Sequence, residues 1–217
     1  MVEESHAYKR QFMVETQLIT RGIKDPSVIQ AMKETPRHAF VPLEMLERVY
    51  DDGPLPIGDG QTISQPYIVA LMTQEALISS SDIVLEIGTG SGYQAAVLSA
   101  IAKDVYSVER IESLSLKAQK SIKEIGIENI HFKVDDGSLG WPEQGPYDVI
   151  LVTAGSPKFP KSLFSQLRVG GRLIIPIGDS ILQRLVRYTK TGEDSFKEES
   201  IESVRFVPLI GEEGWYP

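Results

Sequence analysis

Glu86-Ile87-Gly88-Thr89-Gly90-Ser91-Gly92 stands between a β-branched run, Ile83 to Ile87, and a helical pattern that begins at about Tyr93. A strand that ends in a glycine-rich turn and feeds a helix brings bare backbone to the carboxyl edge of a sheet, where open α/β folds bind their ligands. The turn therefore predicts a site for a nucleotide-like cofactor. The dinucleotide fingerprint requires glycine at the third position after Gly90, but Tyr93 stands there and the third glycine arrives one residue early, at Gly92. That spacing disfavours NAD.

Working outward from the turn, the same alternation repeats. Val105 to Glu109, Ile130 to Val134, Tyr147 to Thr153 and Arg172 to Ile177 read as strands, with helices expected from about Glu112 and over Lys161 to Leu167. Strands alternating with crossover helices predict an α/β fold, a doubly wound, Rossmann-like sheet covered on both faces. Leu182 to Thr189 and Ser203 to Leu209 alternate as antiparallel strands around a polar turn near Gly192, so the mostly parallel sheet is expected to end antiparallel. The charge-rich stretch Glu193 to Glu202 reads as a solvated hairpin. Upstream, Phe12, Val14, Leu18 and Ile19 recur at helical spacing. Asp25-Pro26 supplies an N-cap and first-turn proline for a second helix through Met32, which Pro36 closes. Phe40 to Gln65, rich in proline and glycine, is expected to be a long irregular connection ahead of a helix from Pro66 to Leu77. Residues 1–78 thus form an N-terminal elaboration with a lid loop, and 79–217 the cofactor-binding core, in one compact unit.

Length and charge exclude several classes of function. A chain of 217 residues buries one substantial core, and no apolar run approaches the roughly 20 residues that a membrane helix needs. Met1 to Arg21 lacks the apolar stretch and cleavage site of a secretory signal. There is no cysteine, which removes disulfides, thiolate metal sites and a cysteine nucleophile, and fits a reducing cytoplasm. A net charge of −8 repels a phosphate backbone, so nucleic acid is not expected as a partner. His6, His38 and His131 are too scattered in sequence to suggest a metal centre. The chain is read as a monomer.

Acids recur at the tips of successive strands. Glu86 ends the first; Glu109 ends the second, about 20 residues past the glycine turn, where an acid can accept hydrogen bonds from ribose hydroxyls. Arg110 beside it joins the candidate cofactor set. Asp136-Gly137 follows the third strand, with Asp135 as a neighbouring alternative. The acid-x-Gly-x-Gly-x-Gly run resembles motif I of class I S-adenosylmethionine-dependent methyltransferases. That resemblance implies S-adenosyl-L-methionine as cofactor and S-adenosyl-L-homocysteine as product, with the amino-acid end of the cofactor at Gly88, Thr89, Gly90, Ser91 and Gly92. It also implies that Asp136 receives the adenine amino group while Gly137 leaves room for the ring.

The segment Leu55-Pro56-Ile57-Gly58-Asp59-Gly60-Gln61-Thr62-Ile63-Ser64-Gln65-Pro66-Tyr67 closely resembles the substrate-and-cofactor loop of the protein-L-isoaspartate (D-aspartate) O-methyltransferases. The resemblance continues in Pro36-Arg37, Phe40-Val41-Pro42, Val84 to Gln94, Tyr147-Asp148, Val152-Thr153-Ala154 and Val204 to Leu209, nearly the whole chain. It implies that Ser64 lies beside the transferred methyl group as the catalytic residue, and that Thr62, Ile63 and Tyr67 make nearby cofactor or substrate contacts. Some members of the family carry histidine where this chain has Tyr67. Val207, Pro208 and Leu209 correspond to the segment that holds the substrate peptide through backbone contacts. Two plainer roles stay open: Ser64 as N-cap of the following helix, and Val207-Pro208-Leu209 as an ordinary edge strand.

The implied reaction is methylation of the free carboxylate of L-isoaspartyl residues in damaged proteins and peptides, with D-aspartyl residues as a second substrate class. An α-carboxylate of pKa about 3.5 is ionised at neutral pH, so no strong base is required. Two alternatives remain from the residues: a small-molecule O-methyltransferase on the same fold, and a cofactor-binding module without catalysis. The Asn-Pro-Pro-Tyr signature of DNA amino-methylating enzymes is missing after the fourth strand, and Ser64 does not sit in a hydrolase Gly-x-Ser-x-Gly elbow.

Overall fold

The computed structural model describes residues 2–216. Helix α1 (Val2–Met13) continues through a π turn over Val14–Leu18 and a 3-10 turn over Ile19–Arg21, and Gly22 ends it with φ 95°. The apolar pattern there sorts into two faces: Val14 and Leu18 are buried, whereas Phe12 and Ile19 are exposed. In α2 (Pro26–Glu34) the Asp25 carboxylate accepts hydrogen bonds from the Ser27 and Val28 amides, the cap that the sequence predicts.

The connection from Phe40 to Gln65 differs from the irregular stretch expected. After 3-10 turns over Arg37–Phe40 and Leu43–Arg48 it forms a hairpin of β1 (Leu55–Gly58) and β2 (Gln61–Ile63), with Leu55 opposite Ile63. Leu55, Ile57 and Ile63 are buried, an alternation that lays one face of the hairpin on the core. Asp59-Gly60, a pair that favours tight hairpin turns, lies at the bend. The hairpin feeds α3 (Pro66–Glu75).

The core then unrolls as β3 (Ile83–Ile87), α4 (Tyr93–Ser99), β4 (Asp104–Glu109), α5 (Glu112–Glu124), β5 (Ile130–Val134), β6 (Tyr147–Val152), α6 (Lys161–Ser165), β7 (Leu167–Gly178), β8 (Gln183–Lys190) and β9 (Phe196–Val204). The seven strands lie in the order β5-β4-β3-β6-β7-β8-β9. Pairings from β5 to β7 are parallel, and those of β7 with β8 and β8 with β9 are antiparallel. Alternate residues of β3 face opposite layers: Val84 joins the cluster under the N-terminal helices and α4, while Leu85 and Ile87 join the one built with Leu163 and Phe164 of α6. No helix among the described residues is long and apolar enough to cross a membrane.

The C-terminal strands depart from expectation. The charged stretch 197–202 is the body of the edge strand β9, the second arm of an antiparallel hairpin with β8, whereas residues 205–209, expected as strand, leave the sheet; there Pro208 makes only an isolated parallel bridge to Gly155. An edge strand tolerates such charge, and charge at an edge discourages pairing with other chains. Glu199 pairs with Arg187 of β8 at 3.0 Å, and the same guanidinium reaches Glu75 of α3 at 2.9 Å. This cluster ties the edge to the helical layer.

Candidate cofactor and substrate cleft

β3 is flanked by β4 on one side and by β6 on the other, so the winding reverses there and the carboxyl ends of the strands part. At such a switch point α/β sheets hold ligands. A cleft of about 790 Å³, counting its open mouth, occupies it. Its walls bring together most of the residues singled out from sequence: Thr62, Ile63 and Ser64 after the hairpin; Gly88, Thr89, Gly90 and Ser91; Glu109 and Arg110; Gly137; and Val207, Pro208 and Leu209.

The turn after β3 is held open by its own geometry. Gly88 has φ 94°, and a Cβ there would lie 2.5 Å from the Thr153 hydroxyl oxygen. That hydroxyl donates toward the Gly88 carbonyl at 2.7 Å and the Ile87 carbonyl at 3.0 Å. Gly137 is confined differently: its Cβ would stand 2.7 Å from Cγ2 of Ile87. Gly88→Ala is accordingly expected to displace Thr153 and strain the turn, lowering cofactor affinity by about 5- to 150-fold in calorimetry, since backbone strain of this kind costs on the order of 1–3 kcal/mol.

Glu109 is placed as the sequence predicts. Its Oε2 accepts from the Gly90 amide and its Oε1 from the Ile111 amide, both at 2.9 Å. The carboxylate thereby fixes the turn, and each oxygen keeps a further lone pair. Glu86 lies beneath the turn and off the cleft wall. It is fully buried; Oε2 accepts from the Ser107 hydroxyl at 2.5 Å, and that oxygen lies 2.6 Å from the Thr89 hydroxyl, which does line the cleft. Oε1 has no partner among the described residues. Burial pushes the Glu86 carboxyl up to about 8, against the pull of the Ser107 hydrogen bond and with a further push from Glu109. Burial thus favours the neutral form of Glu86, which supports the turn from behind.

Asp136 departs from the expectation that it faces the cleft. Its Oδ1 accepts from the amide and hydroxyl of Ser138, at 2.8 and 2.7 Å, and its Oδ2 accepts from the Glu212 amide at 2.7 Å. The carboxylate caps the short turn over Gly137–Leu139 and anchors the C-terminal tail, so only Gly137 of the pair lines the cavity. Asp135 is exposed and pairs with Lys133 at 2.7 Å. Gly92 initiates α4 with φ 89° and also stands off the wall.

Ser64 lines the cleft, and among the described residues nothing hydrogen-bonds its hydroxyl. The N-cap of α3 is Gln65, with no side-chain cap, so the capping role left open for Ser64 is not realised. Tyr67 points away from the cofactor cleft. Its buried ring is covered by the Arg21 guanidinium at 3.6 Å, and its hydroxyl donates to Glu202 at 3.2 Å. Burial first, and then Glu202, hold that phenol above its ordinary range. From Ser64 the cleft continues into an open groove that shares Thr62, Ser64, Thr153, Val207 and Pro208 with it and is bordered by Arg21, Gln65, Glu202, Arg205 and Phe206.

Other lining residues carry no sequence signal of their own. Val108, Ile111 and Ile210 give the cleft apolar walls, and the Trp215 indole donates to the Gly155 carbonyl at 3.1 Å, folding the tail over the sheet end. His6 and His38, remote in sequence, stack with ring centroids 4.2 Å apart. Among the described residues no cluster of three or more histidine or acidic side chains has the proximity to hold a metal ion.

Comparison with known proteins agrees with this geometry. Residues 9–214 match the family model described as protein-L-isoaspartate(D-aspartate) O-methyltransferase. Protein-L-isoaspartate O-methyltransferase 2 of Pelobacter propionicus is 56% identical over 209 residues, spanning 96% of this chain and 93% of its own length. The corresponding protein of Geobacter metallireducens is 52% identical over 206 residues, 95% of each chain. A solved protein-L-isoaspartate O-methyltransferase superposes with a TM-score of 0.84 at 33% identity, covering 95% of this chain and 66% of its own. A Plasmodium falciparum structure assigned to the same activity and holding S-adenosyl-L-homocysteine gives 0.81 at 26% identity, over 93% of this chain and 98% of its own. A glycine turn braced by buried acids, a serine-bearing hairpin above it and kinship along almost the entire length lead to one conclusion: the chain belongs to the protein-L-isoaspartate(D-aspartate) O-methyltransferase family.

Proposed function

We infer that the chain transfers the methyl group of S-adenosylmethionine to the free carboxylate of L-isoaspartyl residues in damaged proteins and peptides. The observation that carries this reading is the Ser64 hydroxyl, without a hydrogen-bond partner among the described residues, at the junction of two cavities, one suited to a cofactor and the other with room for a polypeptide. The residues present fit the cofactor. Gly88 and Gly90 present bare backbone to its amino-acid end, Glu109 retains lone pairs for the ribose hydroxyls, and Gly137 with Val108 and Ile111 offers an apolar bed for adenine. When bound, S-adenosylmethionine supplies a methyl carbon activated by the adjoining sulfonium.

The side chains then have little acid-base work to do. An isoaspartyl α-carboxylate is already ionised at neutral pH. The Ser64 hydroxyl donates a hydrogen bond that orients one carboxylate oxygen, and Ile63 and Val207 shield the approach from water. Orientation of this kind supplies on the order of 7–11 kcal/mol in the best intramolecular models. The groove beside Val207, Pro208 and Leu209 receives the flanking polypeptide. The net charge of −8 argues against nucleic acid as partner, and a sequence without cysteine is compatible with a reducing compartment. In the decisive assay, labelled methyl from S-adenosylmethionine is expected on an isoaspartyl peptide at least about 100-fold faster than on its normal aspartyl twin. Equal labelling of the two, or of neither, overturns the reading.

A further inference from the structure

Charge along the substrate groove is unevenly committed. Three ionised side chains border it: Arg21, Glu202 and Arg205. Arg21 is 3.2 Å from Asp52 and lies over the Tyr67 ring, and Glu202 accepts the Tyr67 hydroxyl. Arg205 is exposed and has neither a hydrogen bond nor an ion pair from its side chain among the described residues. It follows directly after β9 and precedes by two residues Val207, which lines both the cleft and the groove together with Ser64. At roughly 3.3 Å per extended residue, Arg205 lies about 7 Å along the chain from Val207. A substrate segment whose isoaspartyl carboxylate meets Ser64 therefore carries its next one or two side chains past this guanidinium.

We propose that Arg205 forms a subsite for a carboxylate side chain flanking the isoaspartyl residue, so that the enzyme favours damage sites next to an acidic residue. The inference rests on the isoaspartyl reading of the site and extends it to the choice among substrates. A guanidinium presents a planar fork of donors matched to a carboxylate. The net charge of −8 disfavours acidic polypeptides over most of the surface, and an uncommitted cation in the groove reverses that preference where it affects binding.

The test uses three isoaspartyl peptides that differ only in carrying Glu, Gln or Lys beside the isoaspartyl residue, assayed with the full chain at low salt. The wild-type kcat/KM for the Glu peptide is expected to exceed that for the Gln peptide by about 5-fold, the size of an exposed charge pair, with the Lys peptide poorest and the difference lying in KM. The Glu/Gln ratio should fall to about one in Arg205→Gln, persist in reduced form in Arg205→Lys, and shrink in the wild type at about 0.5 M salt. A wild-type ratio near one at low salt, or a ratio that survives in Arg205→Gln, overturns the proposal. Should Arg205→Gln not fold, the salt titration and Arg205→Lys still decide. Failure of the wild type to methylate the Gln peptide refutes instead the isoaspartyl reading itself, so the two failures are distinguishable.

Discussion

Ser64→Ala is expected to lower kcat by about 10²-fold, the loss that misalignment of a reacting group brings, while leaving affinity for S-adenosylmethionine within a few-fold of wild type. The substitution deletes a single hydroxyl that makes no other hydrogen bond among the described residues and does not cap α3, so the fold has little reason to respond. The groups proposed to hold the cofactor, the Gly88 turn and Glu109, lie on other elements and stay in place. A loss confined to turnover is the mark of lost alignment, since the hydrogen bond orients a carboxylate oxygen for attack on the methyl carbon. Steady-state rates at saturating peptide, together with calorimetric titration of the cofactor, separate the two effects. Unchanged turnover removes Ser64 from the mechanism.

Glu86→Gln is expected to flatten the pH dependence of stability. The Glu86 carboxyl rises from 4.5 to about 8 because burial penalises its charged form. A group whose folded-state pKa is raised binds its proton more tightly in the native protein. Its contribution is therefore fully present below about pH 4.5 and is lost as pH climbs through about 8. At about 1.4 kcal/mol per pKa unit, several kcal/mol of wild-type stability are expected to disappear across that window. Glutamine keeps an acceptor for Ser107 and has no proton to lose, so the variant should overtake the wild type at the alkaline end. Urea denaturation of both proteins at about pH 5, 6.5 and 8 gives the comparison, and parallel losses in the two would show that Glu86 ionises without penalty in the native state.

The sheet and the glycine turn were legible because their signals are local. Burial on both faces of a parallel sheet demands the β-branched run at Ile83–Ile87, a ligand-bearing turn demands Gly88 where a Cβ would strike Thr153, and Asp25-Pro26 is a complete helix start within two residues. Glu109 was legible for the same reason: the end of a strand, at a set distance past the turn, has one location in a doubly wound fold. The hairpin at Leu55–Ile63 was within reach too, since Asp59-Gly60 lies between alternating apolar residues, but the surrounding prolines and glycines masked it.

Direction and partnership of side chains were another matter. Asp136 satisfies every positional expectation and still turns aside, because the amide of Glu212, 76 residues away, arrives to claim its carboxylate. Tyr67 and Glu202 meet across 135 residues, so that among the described residues bordering the groove Arg205 keeps an uncommitted charge. Strand periodicity, helix caps and glycine torsions are properties of neighbouring residues, and so the order of residues along the chain dictated the architecture and the place of the glycine turn. Which carboxylate stays free, which is consumed and which is buried into neutrality depends on segments brought together by packing, and it was the assembled fold that assigned those roles.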